Sequence, residues 1–129
     1  MTVTHSSAAL SAATDAVTAL IGASGKLKFR LAGTVGTPGT AVAALSLSAT
    51  AFPASTAGLA TANTITADTN ATGSASPVAT ATLETSGGTV VIHCAVAAAS
   101  SDINMSNGLV VAVGDTVSCV ALTYKAIPS

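Results

Sequence analysis

Few residues of this chain could do acid–base or nucleophilic chemistry, and they do not form a catalytic pattern. The candidates for a general base are His5, near the amino terminus, and His93, inside an apolar run. Nucleophilic hydrolysis needs a base beside an activated nucleophile, and no serine stands in a G-x-S-x-G sequence. We therefore expect no catalytic residue, and we interpret His93 as a structural histidine whose hydrogen bonds are satisfied.

The five carboxylates do not form a pattern for glycoside hydrolysis either. Asp15 lies in a helical sequence, and the other four lie in or beside turn sequences: Asp68, Glu84, Asp102 and Asp115. Aspartate favours turns because its side chain bonds the local backbone. We interpret these residues as turn residues, not as the acid and base of a glycosidase.

One glycine-rich stretch, Gly22-Ala-Ser-Gly-Lys26, has the composition of a phosphate-binding loop but not its spacing. That motif requires glycine at position 20 and serine or threonine at position 27, and this chain has Leu20 and Leu27. The stretch also ends a helical sequence and begins a strand, whereas a phosphate loop joins a strand to a helix. We expect no nucleotide cofactor.

The two cysteines, Cys94 and Cys119, each lie within an apolar run and are far apart in the sequence. Buried free cysteine behaves as a small hydrophobic residue, and this is our main interpretation. A disulfide between strands remains the alternative. A metal site is disfavoured because neither cysteine belongs to a C-x-x-C pair, and we expect no metal and no cofactor.

Charge is scarce, with nine charged residues among 129 and none between Leu31 and Ala67. Nucleic-acid binding needs a large basic patch with interleaved aromatics, so no nucleic acid is expected. No stretch offers about 20 predominantly apolar residues, and we predict a soluble protein without a membrane partner.

Lys26, Lys28 and Arg30 form the one basic cluster and share a strand face, which is either a solvated face or a contact with an acidic partner.

The elements that must position these residues begin with a helix. Leu10, Ala13, Val17, Leu20 and Ile21 recur at helical spacings, Ser6 or Ser7 can cap the helix, and Gly22 and Gly25 can end it. We therefore predict an N-terminal arm and helix over residues 1–25. A single β-domain over residues 26–129 follows it.

After Gly25 the hydrophobic period changes to two, as expected for strands. Turns are predicted at Thr85–Gly88, Asn107–Gly108 and Gly114–Asp115. The strand Thr89–Val96, apolar on both faces, is predicted to be central. The fold class is all-β, a β-sandwich or jelly roll of about seven or eight antiparallel strands. The predicted strands are Lys26–Leu31, Val42–Thr50, Leu59–Thr66, Val78–Glu84, Thr89–Val96, Asp102–Met105, Leu109–Val113 and Thr116–Tyr124.

Between Ala8 and Ala126 the chain resembles the small virion proteins of tailed bacteriophages known as head decoration or cement proteins. The resemblance lies in the runs GASGKLKF, AVAALSLSATAFPASTAG, SGGTVVIHCAV and SDINMSNGLVVAVGDTVSCVALTYKA. It implies a β-sandwich or jelly roll present in many copies on the outer face of an icosahedral head. It implies no catalytic residue.

The resulting hypothesis is a non-enzymatic decoration protein, made in the bacterial host cytoplasm and located on the capsid exterior of the virion. Its expected partners are the major capsid protein and copies of itself in a homo-oligomer. Alternatives are a tail or baseplate component and, with less support, a carbohydrate-binding sandwich module. The expected partner contacts are in the amino-terminal arm and on the basic strand: Met1, Thr2, Val3, Thr4, His5, Lys26, Lys28 and Arg30.

Overall fold

A computed structural model of the chain describes residues 3–127. These residues form one short helix and seven strands, so the protein is mostly β with a small helix. The elements in chain order are α1 Ser7–Ala19, β1 Lys26–Arg30, β2 Ala41–Ser46, β3 Ala60–Thr61, β4 Thr80–Glu84, β5 Val90–Ala97, β6 Ile103–Asn104 and β7 Thr123–Tyr124.

Five of the strands form a mixed sheet in the order β2-β1-β4-β5-β6, and β3 pairs with β7 separately. The first three pairings of the larger sheet are antiparallel, whereas β6 lies parallel to β5 through two residue pairs. The prediction of purely antiparallel strands is therefore wrong at β6.

The central strand of the larger sheet is β4, not β5. Every residue of β4 is buried, while seven of the eight residues of β5 are not. The prediction that Thr89–Val96 is central is therefore wrong. Apolar residues on both faces of a strand usually indicate a strand in the middle of a sheet. Here β5 pairs along most of its length with β4 alone, so most of its side chains stay half-buried.

Two predicted strands near the carboxyl terminus do not form as expected. Leu109–Val113 is irregular, although Leu109 and Val111 accept hydrogen bonds from Val78 and Ser74. Of Thr116–Tyr124, only Thr123–Tyr124 is a strand, with an isolated bridge from Val117 to Asp68. The alternating pattern in this region therefore reflects burial of Val111 and Val117 against the core and not continuous strand pairing.

The predicted turns are confirmed where glycine permits a left-handed backbone. Thr85 and Gly88 close the turn between β4 and β5, and Gly88 has φ +92°. Gly108 and Gly114 also have positive φ in the predicted turns at Asn107–Gly108 and Gly114–Asp115. Positive φ is accessible to glycine without a steric cost.

The helix α1 begins as predicted but docks through a different face. The Ser6 side chain caps it by accepting from the Ala9 amide at 3.1 Å. Thr14 and Thr18 are its buried residues, while Leu20, expected on the apolar face, is 65% exposed. Ile21, just beyond the helix, is the one member of the predicted face that is fully buried.

Hydrogen bonds to the loop at residues 55–58 account for this orientation. Thr14 Oγ1 donates to the Gly58 carbonyl at 2.6 Å, and the Gly58 amide donates to Ser11 Oγ at 3.2 Å. The Asp15 carboxylate accepts from the Ser55 amide at 2.9 Å. Gly58 has φ +86°, and a Cβ there would lie 2.9 Å from Leu10 Cβ, so glycine is needed for the helix to approach this closely.

Candidate partner-contact face

The larger sheet has one apolar face and one polar face. Lys28 is the register partner of Thr82, and Thr82 is the register partner of His93, so all three side chains lie on the same side. The opposite side carries the buried residues Leu27, Phe29 and Leu83. We call the first side the polar face; its members are Lys26, Lys28, Arg30, Ser46, Thr80, Thr82, Glu84 and His93.

Glu84 is the centre of the polar face. Its carboxylate is fully buried, with Arg30 Nη2 at 2.7 Å from Oε2 and Lys28 Nζ at 3.2 Å from Oε1. Thr82 Oγ1 also donates to Glu84 Oε2 and itself accepts from Arg30 Nε at 3.0 Å. The guanidinium of Arg30 is completed by a 2.7 Å hydrogen bond to the Gly39 carbonyl.

The electrostatics of this cluster keep Glu84 ionised. Burial alone would raise the pKa of its carboxyl, because a charge in a poorly solvated site is unfavourable. Hydrogen bonds from Thr82 and Arg30, the ammonium group of Lys28 and the charge of Arg30 together outweigh burial and lower the pKa below its ordinary value. Glu84 is therefore a carboxylate partner for the basic strand.

The three cations predicted as partner contacts are brought together on this face, but they are not equivalent. Lys28 and Arg30 have side chains 27% and 14% exposed and both contact Glu84, while Lys26 Nζ donates to Ser46 Oγ at 2.8 Å. The three cations and Glu84 leave a net charge of +2 on the face. Lys26 is the member whose charge is not neutralised by Glu84.

Sequence reasoning missed the role of Glu84. Its predicted place at the end of a strand and beside a turn is confirmed, but we gave it no partner, and the structure pairs it with Lys28 and Arg30. The alternation of Thr80, Thr82 and Glu84 on one face of a strand is a local signal for a polar face. The pairing with β1, more than 50 residues earlier, has no signal in the sequence.

Asp68 and Asp115 accept hydrogen bonds from nearby backbone amides, as their turn sequences predicted. Asp68 accepts from Asn70 at 3.0 Å, and Asp115 accepts from Ala112 at 2.9 Å. Asp68 also accepts from the Ala44 amide at 2.9 Å, on the outer edge of β2. Asp102 accepts from the Ala95 amide at 2.9 Å, on the outer edge of β5. These carboxylates act as structural acceptors.

The structure places His93 beside a cavity of about 290 Å³ that Cys94, Asp102 and Tyr124 also line. Consecutive residues of a strand point to opposite faces, so the His93 and Cys94 side chains lie on opposite sides of β5. Nε2 of His93 is buried without a hydrogen-bond partner in the described part of the chain. The interpretation of His93 as a fully satisfied structural histidine is therefore wrong at this atom.

The thiols are both half-buried and unpaired. Burial raises the pKa of Cys94 to about 11, with a further contribution from the charge of Asp102. Burial also raises the pKa of Cys119, in spite of its hydrogen bond to the Ala121 carbonyl. A thiol with a raised pKa is a poor nucleophile and a poor metal ligand.

The predicted contact residues of the amino-terminal arm fall in two groups. Val3, Thr4 and His5 precede the helix in an irregular and exposed segment. Met1 and Thr2 lie outside the described residues. The arm and the polar face thus remain predicted contacts.

Residues 3–127 contain no group of three His, Cys, Asp or Glu side chains placed to hold a metal ion. Within the same range, no helix has the length and apolar character needed to cross a membrane.

No protein-family model, curated protein or solved structure matches this chain.

Proposed function

We propose that this protein is a bacteriophage head decoration protein that binds the outer surface of the capsid and stabilises contacts between major capsid protein subunits. The observation that carries the proposal is the polar face, which gathers three of the four cations of a nearly uncharged chain. A face with net positive charge complements an acidic partner surface and sets the register of binding. The sequence resemblance to decoration proteins supports the same function.

We further infer that the five-stranded sheet and the β3–β7 pair are the two layers of a β-sandwich or jelly roll. Support comes from the core, in which the apolar face of the sheet packs with Ala60 of β3 and with Ala71, Val111 and Val117 from the connecting segments. Such a body presents broad faces to its neighbours in a shell.

Exposed apolar side chains also support an assembly role. Val120 is fully exposed, Val113 is 82% exposed, and Val110 lines a cavity of about 450 Å³ together with Val120. Neighbouring exposed apolar residues are typical of surfaces that contact other proteins.

A carbohydrate-binding module is disfavoured by the placement of the aromatic rings. Phe29 and Phe52 are buried, and Tyr124 is partly buried against the core. Sugar recognition by stacking needs an exposed ring, and none of these three is fully exposed.

The experiment is a binding and heat challenge with heads that lack the protein. Purified chain is added back, bound protein is quantified at increasing salt, and DNA release on heating is followed by dye fluorescence. We expect added protein to raise the temperature of DNA release. Heads that release DNA at the same temperature with and without the protein would contradict the proposal, and binding confined to tails would favour a tail or baseplate component.

The variant that tests the polar face is Lys26→Gln, which removes a positive charge outside the Glu84 ion pairs and places no new carboxylate opposite Glu84, the register partner of Lys26. We expect it to fold normally and to bind heads more weakly, with the difference decreasing as salt rises. Lys125→Gln is the matched control, since Lys125 is an exposed cation outside the polar face. Equal binding of the two variants would exclude the polar face as the contact.

A further inference from the structure

The two outer edges of the five-stranded sheet differ in how their backbone groups are satisfied. Along β2, Ser46 exchanges hydrogen bonds with Thr66 at 3.2 and 2.8 Å. The Val42 carbonyl accepts from the Gly73 amide at 2.9 Å, and the Ala44 amide donates to Asp68. This edge is therefore closed by the chain itself.

The outer edge of β5 is closed at one end alone. β6 pairs with Val96 and Ala97, and the Ala95 amide donates to Asp102. Within residues 3–127, no strand pairs with the outer edge of β5 between Val90 and Cys94. The Val96 amide donates to the Ala79 carbonyl, on the side of β5 that faces β4. Because backbone groups alternate between the two sides of a strand, the amide and carbonyl of His93 point away from β4, toward the outer edge.

Open strand edges are usually protected by charged residues or proline. Residues 90–94 contain neither, and the segment is rich in β-branched residues. The register shift near Val91 lies at the start of β5 and leaves residues 92–94 in regular register with β4. The edge is therefore competent to accept another strand.

The cavity beside this edge determines which side chains an added strand should have. Its apolar lining includes Leu83 and Ile92 from the apolar face of the sheet, with Ile103 and Leu122 from the neighbouring segments. An added strand would place every second side chain on this apolar side. An uncharged strand with a branched apolar residue at that position is the best fit.

We propose that this strand is β5 of a second copy of the chain, antiparallel to the first and related to it by a two-fold axis at Ile92. Val91 of each copy then faces His93 of the other, and the two Ile92 side chains meet on the cavity side. No charge opposes another across this pairing, because residues 90–94 carry none. A two-fold contact uses the same surface on both copies, so one self-complementary edge is sufficient.

In this pairing, copies of the chain associate through the outer edge of β5. That the contact occurs in a virion rests on the proposed function. A strand pair of about five residues buries less than the roughly 1,200 Å² typical of stable interfaces. We therefore expect a concentration-dependent dimer in solution, which many copies on one shell would reinforce.

The test is sedimentation velocity of the full chain over a range of concentrations, with charge variants at the two-fold axis. Ile92→Lys and Ile92→Glu place like charges opposite each other, and each variant alone is expected to associate at least roughly tenfold more weakly. An equimolar mixture of the two variants is expected to regain the dimer, because the charges are then opposite. Val35→Lys, on an exposed loop residue, is the matched control and should dimerise like the wild type.

A wild-type chain that stays monomeric at every concentration would overturn the proposal, and so would undiminished dimerisation of Ile92→Lys. Hydrogen exchange of the wild-type His93 amide gives an answer that does not depend on how the variants fold. Protection that rises with protein concentration supports the pairing, whereas a constant exchange rate contradicts it. Head binding by a monomeric variant would refute the dimer's role in assembly and leave the proposed function intact.

Discussion

Two cations and one hydroxyl reach the carboxylate of Glu84, so neutralising it leaves Lys28 and Arg30 side by side without a counterion. We predict that Glu84→Gln lowers the free energy of unfolding by about 1–3 kcal/mol, the range for a buried polar group that loses its partner. Urea unfolding measures this loss. Lys26→Gln is the control and should change stability by less than about 0.5 kcal/mol, as surface substitutions usually do.

The lowered pKa of Glu84 also predicts how stability depends on pH. Its pKa in the folded chain lies below the ordinary value of 4.5, so the unfolded chain takes up the proton first as pH falls. The stabilisation that ionised Glu84 contributes is present above pH 4.5 and is lost as the pH falls through its pKa in the folded chain. Urea titrations between neutral and acidic pH should therefore show a steeper decline for the wild type than for Glu84→Gln, and parallel curves would contradict this assignment.

At the scale of elements, α1 is attached to the β-domain by hydroxyl groups as much as by apolar contact. Thr14 Oγ1 donates to Gly58 and accepts from the Ala126 amide at 3.1 Å, so one side chain joins three segments. We predict that Thr14→Val, which keeps the shape, costs about 1–3 kcal/mol, because the buried Gly58 carbonyl and the half-buried Ala126 amide lose their partner. Thermal unfolding followed by circular dichroism measures the effect.

Thr72→Val is the matched control for this substitution, because Thr72 is exposed. It should leave the unfolding temperature nearly unchanged. If both variants unfold at the wild-type temperature, the hydroxyl of Thr14 does not anchor the helix.

At the scale of the whole molecule, stability depends on a core of small aliphatic residues with two phenylalanines. Leu45 is fully buried in β2, and we predict that Leu45→Ala costs about 2–5 kcal/mol through the cavity it leaves. That is a large fraction of the roughly 5–15 kcal/mol that stabilises a typical domain. Denaturant unfolding monitored by circular dichroism should show one transition at a much lower midpoint.

Leu20→Ala makes the same chemical change at a side chain that is 65% exposed. Its midpoint should stay close to that of the wild type. A similar loss in both variants would mean that Leu20 is buried in the folded protein, in contradiction to the exposed helix face described above.

The sequence by itself determined the mostly β character, the start of α1 at its serine cap, and the turns at Thr85–Gly88 and Asn107–Gly108. These features depend on neighbouring residues, because alternation, capping and positive φ are local properties of the backbone. The shared face of Lys26, Lys28 and Arg30 followed in the same way from the period of a strand.

Only the tertiary structure decided which face of α1 is buried, which strand is central, and what the basic strand contacts. Ser11 and Thr14 could be identified as docking residues only once the loop at residues 55–58 was placed beside them. Glu84 became the partner of Lys28 and Arg30 because β4 pairs with β1 across more than 50 residues of chain. Such long-range pairing depends on how all the strands share one core, and no local pattern in the sequence encodes it.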